Sequence, residues 1–188
     1  MRKEFKPDAH LYPMPVLIIG TYDEDGNANL MNAAWGGISN DTQISICISS
    51  YHKTTANILK NKAFTVSVGT ADTVAGCDYV GIASGNVVKN KADVAGFNPE
   101  RSGKINAPLF RELPFALECL LVEYIAEEPR LVGEIVGISV DESVLTDGKV
   151  DVEKLRPISF DPVNNKYRLI GEAVADAFSI GTEKVTGK

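Results

Sequence analysis

The sequence is poor in the residues that build metal sites, disulfide frameworks and hydrolytic triads. It contains three cysteines and two histidines in 188 residues. Cys47, Cys77 and Cys119 lie far apart and form no CxxC pair, which argues against a zinc site or a disulfide framework. A Ser-His-Asp triad would have to use His10 or His52, and a His-rich metal site is excluded. We expect no metal. Cys47 and Cys119 lie in apolar runs and are predicted to be small buried residues, whereas Cys77 has polar neighbours, so a reactive thiol there is the alternative.

Long apolar runs and basic stretches are also missing. No apolar stretch approaches the roughly 20 residues that a helix needs to span a bilayer. The first ten residues, MRKEFKPDAH, lack the apolar segment of a signal peptide. With 19 basic and 25 acidic residues the net charge is −6, which does not suit a nucleic acid or an anionic membrane as partner. We therefore expect a cytoplasmic protein without a membrane or nucleic-acid partner.

Strand-like patterns dominate what the sequence does contain, and its length suits one domain over residues 1–188. A turn at Asp23–Asn27, with Gly26 at the position that needs positive φ, predicts antiparallel pairing of the runs on either side. The strands do not alternate regularly with helices, so a parallel doubly wound sheet is disfavoured. We predict a mainly β fold, a closed antiparallel barrel with a few short helices. The predicted strands are 16–22, 29–35, 43–49, 64–68, 115–127, 131–140 and 167–171.

The helices are predicted from spacing and capping residues. Apolar residues between Ala56 and Ala63 have helical spacing, with Thr54 or Thr55 as the N-cap. Asp72 is predicted to cap a second helix that ends near Ala83. Residues 84–108 form a long excursion with one short helical piece, and a loop of that length tends to be functional or mobile. Gly36-Gly37 is predicted to break the second strand, and 172–188 form a tail.

One short segment has the composition of an anion site. A helix N-terminus with free N–H groups, hydroxyl donors and a nearby cation attracts phosphate. The alternative is a capped surface helix with an exposed lysine, which spacing alone favours. The residues that supply these groups are Ser49, Ser50, Lys53, Thr54 and Thr55.

The second predicted strand carries small side chains where strands normally carry bulk. Asn32, Ala33 and Ala34 would let backbone N–H and C=O groups approach a flat ring, with Asn32 matching the donor–acceptor edge of a flavin. Trp35 would either border that ring or fill the barrel, and core packing is the usual role of a lone tryptophan.

The chain resembles a known family over most of residues 10–172. The segments PMPVLIIGTYDEDGNANLMNAAWGGIS and SSYHKTTANI carry the resemblance in combination, and FTVSV, SGNVVK, KLRPISF and YRLIGE add weaker support. Together they resemble the flavin reductase-like family, and within it the flavoredoxins.

The resemblance implies an FMN-binding split β-barrel, antiparallel with Greek-key connections, and non-covalent FMN near a homodimer interface. It places Asn32 to Trp35 beside the isoalloxazine, and Ser49, Ser50, Lys53, Thr54 and Thr55 around the ribityl chain and phosphate. Lys89 or Lys91 would approach the phosphate as well, and Tyr167 would close over the site from the same subunit or its partner. The redox chemistry would belong to the flavin, so no catalytic side chain is expected.

One departure from the family bears on the reaction. Many members that use NAD(P)H carry a Gly-Asp-His group before the strand that matches 132–136, and this chain has Glu127-Glu128-Pro129-Arg130 there. The resemblance thus implies an FMN oxidoreductase fed by NAD(P)H or a protein donor, with a flavoredoxin-type electron carrier as the alternative that the missing histidine favours. A ligand-binding barrel without redox turnover is the third possibility.

Overall fold

A computed structural model describes residues 1–182; the end of the predicted tail, 183–188, lies outside the described residues. The strands, in chain order, are β1 Met14–Pro15, β2 Leu17–Tyr22, β3 Ala28–Ala33, β4 Gly36–Asn40, β5 Gln43–Cys47, β6 Ala63–Val68, β7 Pro99–Arg101, β8 Pro108–Phe110, β9 Phe115–Ile125, β10 Arg130–Val140, β11 Leu145–Thr146, β12 Lys149–Val150, β13 Ile158–Asp161 and β14 Lys166–Leu169. The α-helices are α1 Lys53–Asn61, α2 Val74–Ile82, α3 Lys91–Ala95 and α4 Val152–Leu155.

Seven strands form one antiparallel sheet in the order β3-β2-β6-β9-β10-β5-β4. The two edge strands, β3 and β4, are consecutive in the chain and are joined by Ala34 and Trp35 alone. Three peptide links span at most about 11 Å, so the sheet must curl until its edges meet. The antiparallel barrel predicted from the sequence is thereby confirmed. Two smaller hairpins and a three-stranded sheet, β1-β13-β14, surround it.

Strand β2 lies between two cores because it is apolar on both faces, as its sequence predicts. Leu17 and Ile19 point into the barrel core. Val16, just before the strand, and Ile18 point outward into a second core beneath α2 and α3. The outer core holds α2 against β3 and the three-stranded sheet against α2, and this packing brings distant segments to one side of the barrel.

Several local predictions are confirmed. Gly26 has φ of +82° in the turn between β2 and β3, where Tyr22 pairs with Ala28. The helix predicted after Thr54 is α1, although Ala63 starts β6 instead of ending the helix. The 84–108 excursion contains one short helix, α3.

Three local predictions are wrong. The N-cap of α1 is His52, because the hydroxyl groups of Thr54 and Thr55 turn inward to other partners. Gly36-Gly37 begins β4 and does not break a strand, since Gly36 must approach the backbone of β5: a Cβ there would lie 3.0 Å from the Ser45 carbonyl oxygen. Asp72 caps no helix and instead pairs with Arg156 at 2.8 Å.

One of the two cysteines predicted to be buried is exposed in the structure. Cys119 is buried as expected, but Cys47 is exposed because it ends β5 at the mouth of the cleft described below. Cys77 is fully buried in the outer core, and this burial raises the pKa of its thiol. A raised thiol pKa disfavours the nucleophilic thiolate, so the geometry does not support a reactive role for Cys77.

Within residues 1–182, no helix has both the length and the apolar character needed to cross a bilayer. The same residues contain no group of three or more His, Cys, Asp or Glu side chains placed to hold a metal ion.

Candidate functional site

A cleft on the outside of the barrel consists of two adjoining cavities. The strand cavity, of about 410 Å³, lies over the end of β3. The helix cavity, of about 380 Å³, lies over the start of α1. Met31, His52, Gly81 and Ile82 line both, so the two cavities form one elongated site.

The strand cavity combines small, aromatic and polar side chains from four parts of the chain. Trp35 is 50% exposed and borders the cavity, so it does not fill the barrel. Small residues on β3 and α2 keep the floor open, which is the geometry that admits a flat ring close to the backbone. The lining residues are Met31, Asn32, Ala33, Ala34, Trp35, Cys47, His52, Asp78, Gly81, Ile82, Phe160 and Tyr167.

Hydrogen bonds fix the polar side of the strand cavity. The Asn32 amide donates to the Cys77 carbonyl oxygen at 3.0 Å, which ties β3 to α2. The Tyr167 hydroxyl donates to Oδ1 of Asp78 at 2.8 Å, which ties β14 to α2. Burial, and then this hydrogen bond, raise the pKa of Tyr167, so the phenol keeps its proton at neutral pH.

The helix cavity presents the uncapped start of α1. His52, the N-cap residue, makes no side-chain capping bond, and the first turn holds no acidic residue. Within the described part of the chain, the backbone N–H groups of Lys53, Thr54 and Thr55 have no acceptor. Free N–H groups at a helix start carry partial positive charge, so this end of the cleft attracts an anion.

Lys91 adds a buried cation to the same cavity. Its side chain is only 3% exposed, yet its ammonium group has no hydrogen bond or ion pair among residues 1–182. Burial lowers the pKa of Lys91 to about 8; burial, and then the nearby Lys91 charge, lower the pKa of His52. A partly desolvated cation without a protein partner is costly, and an anion in the helix cavity would reduce that cost. The cavity therefore fits a phosphate group.

Lys53 and Thr54 complete the wall of the helix cavity. The Lys53 ammonium lies 3.8 Å from Glu24, so it is already partly neutralised. Thr54 is 2% exposed and accepts a hydrogen bond from the Asn29 amide at 2.8 Å, which leaves its own O–H free to donate. Gly85 packs so closely against Asn29 and Lys53 that a Cβ at position 85 would collide with the Asn29 side chain.

The structure thus brings together eight of the twelve site residues predicted from sequence. Asn32, Ala33, Ala34, Trp35 and Tyr167 line the strand cavity, and Lys53, Thr54 and Lys91 line the helix cavity.

The other four predicted residues lie outside both cavities. Ser49 and Thr55 are hydrogen-bonded to each other, since the buried Thr55 hydroxyl donates to the Ser49 carbonyl oxygen at 2.7 Å. Ser50 is exposed beside the helix start. Lys89 lines two neighbouring grooves, one shared with Arg101 and one shared with Lys53, but not the helix cavity itself, because the chain turns into α3 between Lys89 and Lys91.

Sequence reasoning missed the contribution of α2 and β13. Asp78, Gly81 and Ile82 enter the cleft only because α2 packs against β3, and no local pattern marks them. Phe160 is the last residue of the KLRPISF segment that supports the family resemblance, but it was not assigned to the site.

Known proteins with the same fold show which family this chain belongs to. The family model for the flavin reductase like domain matches residues 9–155. The chain belongs to the flavin reductase-like family. Flavoredoxin of Desulfovibrio vulgaris (Miyazaki F) is 36% identical, covers 96% of this chain and 100% of its own, and superposes with a TM-score of 0.91.

Two further similar proteins extend the comparison. Flavoredoxin from Methanosarcina acetivorans is 28% identical over 97% of this chain and 100% of its own, with a TM-score of 0.86. An uncharacterised protein of Aquifex aeolicus (strain VF5) is 27% identical over 156 residues, which are 78% of this chain and 79% of that protein.

In this flavin reductase-like chain, the connection between β9 and β10 lies beside the mouth of the cleft. The Ile48 N–H donates to the Pro129 carbonyl oxygen at 2.8 Å, next to Cys47 in the cavity wall. Arg130 pairs with Glu128 at 3.3 Å, so the connection is charged. Its sequence, Glu127-Glu128-Pro129-Arg130, contains no histidine. The histidine of the cleft is His52, at the start of α1.

Proposed function

We propose that the protein is a flavoprotein oxidoreductase that binds FMN non-covalently along the cleft. The observation that carries the proposal is Lys91, a buried cation without a partner at one end of a site whose other end is lined by small and aromatic residues. FMN has the matching shape, a flat ring system with a phosphate at the end of a flexible chain. The two similar flavoredoxins, and a similar structure named an FMN-binding domain of a flavin reductase-like enzyme from Shewanella baltica OS155, support the same ligand.

The phosphate would be held in the helix cavity. The free N–H groups at the start of α1 and the Lys91 ammonium would neutralise its charge, and the Thr54 hydroxyl would donate to it. The ring would lie in the strand cavity between the small residues of β3 and the aromatic side chains of Trp35 and Tyr167.

FMN would supply the acceptance and release of electron pairs, and the protein would supply binding, orientation and a controlled environment. Trp35 and Phe160 would exclude water from part of the ring. Tyr167 would hold its proton on the phenol oxygen and keep Asp78 in place. No side chain is assigned a catalytic role.

The electron source separates two forms of the proposal. In the first the protein is an enzyme that oxidises NADH or NADPH; in the second it is an electron carrier reduced by another protein. The charged β9–β10 connection without a histidine favours the carrier. In either form we place the protein in the cytoplasm, as one domain over residues 1–188.

One anaerobic titration tests these alternatives. The purified protein is expected to bind added FMN and become yellow, with quenched flavin fluorescence. Rapid bleaching by NADH or NADPH would identify the enzyme, and bleaching only by dithionite or a protein donor would identify the carrier. Protein that binds no FMN would contradict both forms and leave a barrel for another ligand.

We also propose a homodimer. Apolar side chains on neighbouring strands β9 and β10 are two-fifths or more exposed, which is unusual for a surface without a partner: Leu120, Val122, Val136 and Ile138. Light scattering after gel filtration should give twice the chain mass, and Ile138→Asp should give the monomer. A wild-type monomer would refute this assembly.

A further inference from the structure

Asp78 is the one acidic side chain among the described residues that line the strand cavity. It lies on α2, three residues before Gly81, and is half-buried. The Tyr167 hydroxyl donates to its Oδ1 at 2.8 Å. No other hydrogen bond or ion pair of Asp78 lies within residues 1–182, so its second oxygen, Oδ2, keeps its capacity to accept.

The neighbouring polar groups do not compete for that oxygen. The Asn32 amide is engaged with the Cys77 carbonyl oxygen, and the Tyr167 proton is engaged with Oδ1. A carboxylate can only accept, so a ligand that satisfies Oδ2 must bring an N–H or O–H donor to this wall. A ligand that brings an acceptor or an apolar group would leave a partly buried carboxylate unpaired, which is costly.

We propose that Asp78, held in place by Tyr167, is a specificity-determining residue that accepts a hydrogen bond from a ring N–H of the bound ligand. This inference rests on the proposed binding of FMN in the cleft. The oxidised isoalloxazine has one ring N–H, at N3 on its pyrimidine edge. Asp78 therefore selects flavins with a free N3–H over flavins that are substituted at N3.

The same carboxylate has an electrostatic effect that a purely structural residue would lack. Negative charge on Asp78 disfavours additional negative charge on the bound ring. Neutralising Asp78 should therefore raise the midpoint potential of the bound flavin. Asp72, which lies at the surface in an ion pair with Arg156, offers a control that removes the same charge outside the cavity.

The test compares FMN with 3-methyl-FMN by fluorescence titration of the apoprotein, and measures the midpoint potential of the FMN complex. Wild-type protein should prefer FMN by about tenfold or more, the value of a charge-assisted hydrogen bond. Asp78→Asn should lower that preference several-fold, because a neutral amide oxygen accepts more weakly than a carboxylate, and should raise the potential. Asp72→Asn should change neither quantity.

Tyr167→Phe keeps the inference testable if Asp78→Asn unfolds the protein, as monitored by circular dichroism. It removes the hydroxyl that orients Asp78 and should reduce the preference several-fold while FMN still binds. An unchanged preference in folded Asp78→Asn, or in Tyr167→Phe when Asp78→Asn is unfolded, would overturn the role of Asp78 and leave FMN binding intact. Wild-type protein that binds neither flavin would overturn the proposed function itself.

Discussion

The helix cavity and the strand cavity adjoin each other but are built in opposite ways. The helix cavity gathers positive charge, from free N–H groups of α1 and from Lys91, within two short segments of the chain. The strand cavity holds one carboxylate among small and aromatic residues from β3, α2, β13 and β14. The difference teaches how the proposed function would divide: charge at one end would provide affinity for a phosphate, while shape and a single acceptor at the other end would select the ring. Substitutions should therefore fall into two classes, which FMN and riboflavin distinguish because riboflavin lacks the phosphate.

The largest effect is expected from Lys91. Lys91→Met fills the same space without the charge, and should weaken FMN by about a hundredfold, since a buried charge-assisted contact is worth about 3 kcal/mol. Riboflavin affinity should not change. Fluorescence titration with both flavins measures the two values. Lys89→Met is the comparison, because Lys89 lines the two neighbouring grooves and not the helix cavity, so its loss should be much smaller; equal losses in both variants would refute the assignment of the phosphate to Lys91.

The pH dependence of FMN binding sharpens the same point. Lys91 has a pKa of about 8 in the free protein, lowered from 10.5, and a bound phosphate favours the ammonium form. Above pH 8 binding must take up a proton, so FMN affinity should fall by up to about tenfold per pH unit toward pH 10. Riboflavin should show no such fall. The stability of the free protein changes with pH in the opposite direction to FMN affinity. The unfolded chain binds more protons than the folded chain between pH 8 and 10.5, so the Lys91 contribution to the free energy of unfolding rises with pH.

Lys91→Arg provides the control for that pH dependence. The guanidinium stays charged throughout this range, so the decline in FMN affinity should disappear. Persistence of the full decline in Lys91→Arg would show that another group is responsible.

At the strand cavity, Trp35→Leu should weaken both flavins by the same factor. Loss of an aromatic contact costs about 0.5–1.5 kcal/mol, which corresponds to a loss of about twofold to tenfold. The ratio of FMN to riboflavin affinity should stay constant because Trp35 lies at the end of the cleft away from Lys91. A ratio that changes as much as in Lys91→Met would remove the distinction between the two cavities.

The smallest effect on FMN is expected from Thr54. Thr54→Val keeps the volume and removes the hydroxyl, so FMN should weaken only a few-fold, and riboflavin less. The substitution also leaves the Asn29 amide without its acceptor, at about 1–2 kcal/mol in the free energy of unfolding measured with urea. Ser50→Ala, at an exposed position outside both cavities, should change neither quantity; a larger effect at Ser50 than at Thr54 would reverse the assignment.

The two cavities also differ in how far they could be predicted from the sequence. The helix cavity was located because its hydroxyls and lysine are contiguous in the chain, but contiguity could not separate Thr54, which turns inward, from Ser50, which stays outside. The choice between Lys89 and Lys91 depended on where α3 begins. Periodicity could not reveal Asp78, since only the packing of α2 on β3 brings it to the cleft.

The fold itself was largely predictable because the main strands carry either alternating or continuous apolar patterns, and the Gly26 turn fixes the first pairing. Edge strand β4 escaped prediction because paired glycines usually interrupt strands, whereas here Gly36 permits close contact with β5.

The two-residue link between β3 and β4 has a mechanical consequence. Along that seam the two edge strands are joined by the covalent chain, and within residues 1–182 no ladder pairs them. The Cys47 N–H donates to the Trp35 carbonyl oxygen at 2.7 Å, which ties the link to β5. A molecule seated in the strand cavity touches Ala33 on one side of the seam and Cys47 on the other. A bound molecule would therefore connect the two edges of the barrel wall. Ligand binding should slow amide hydrogen exchange around the β3–β4 link more than on the far side of the barrel.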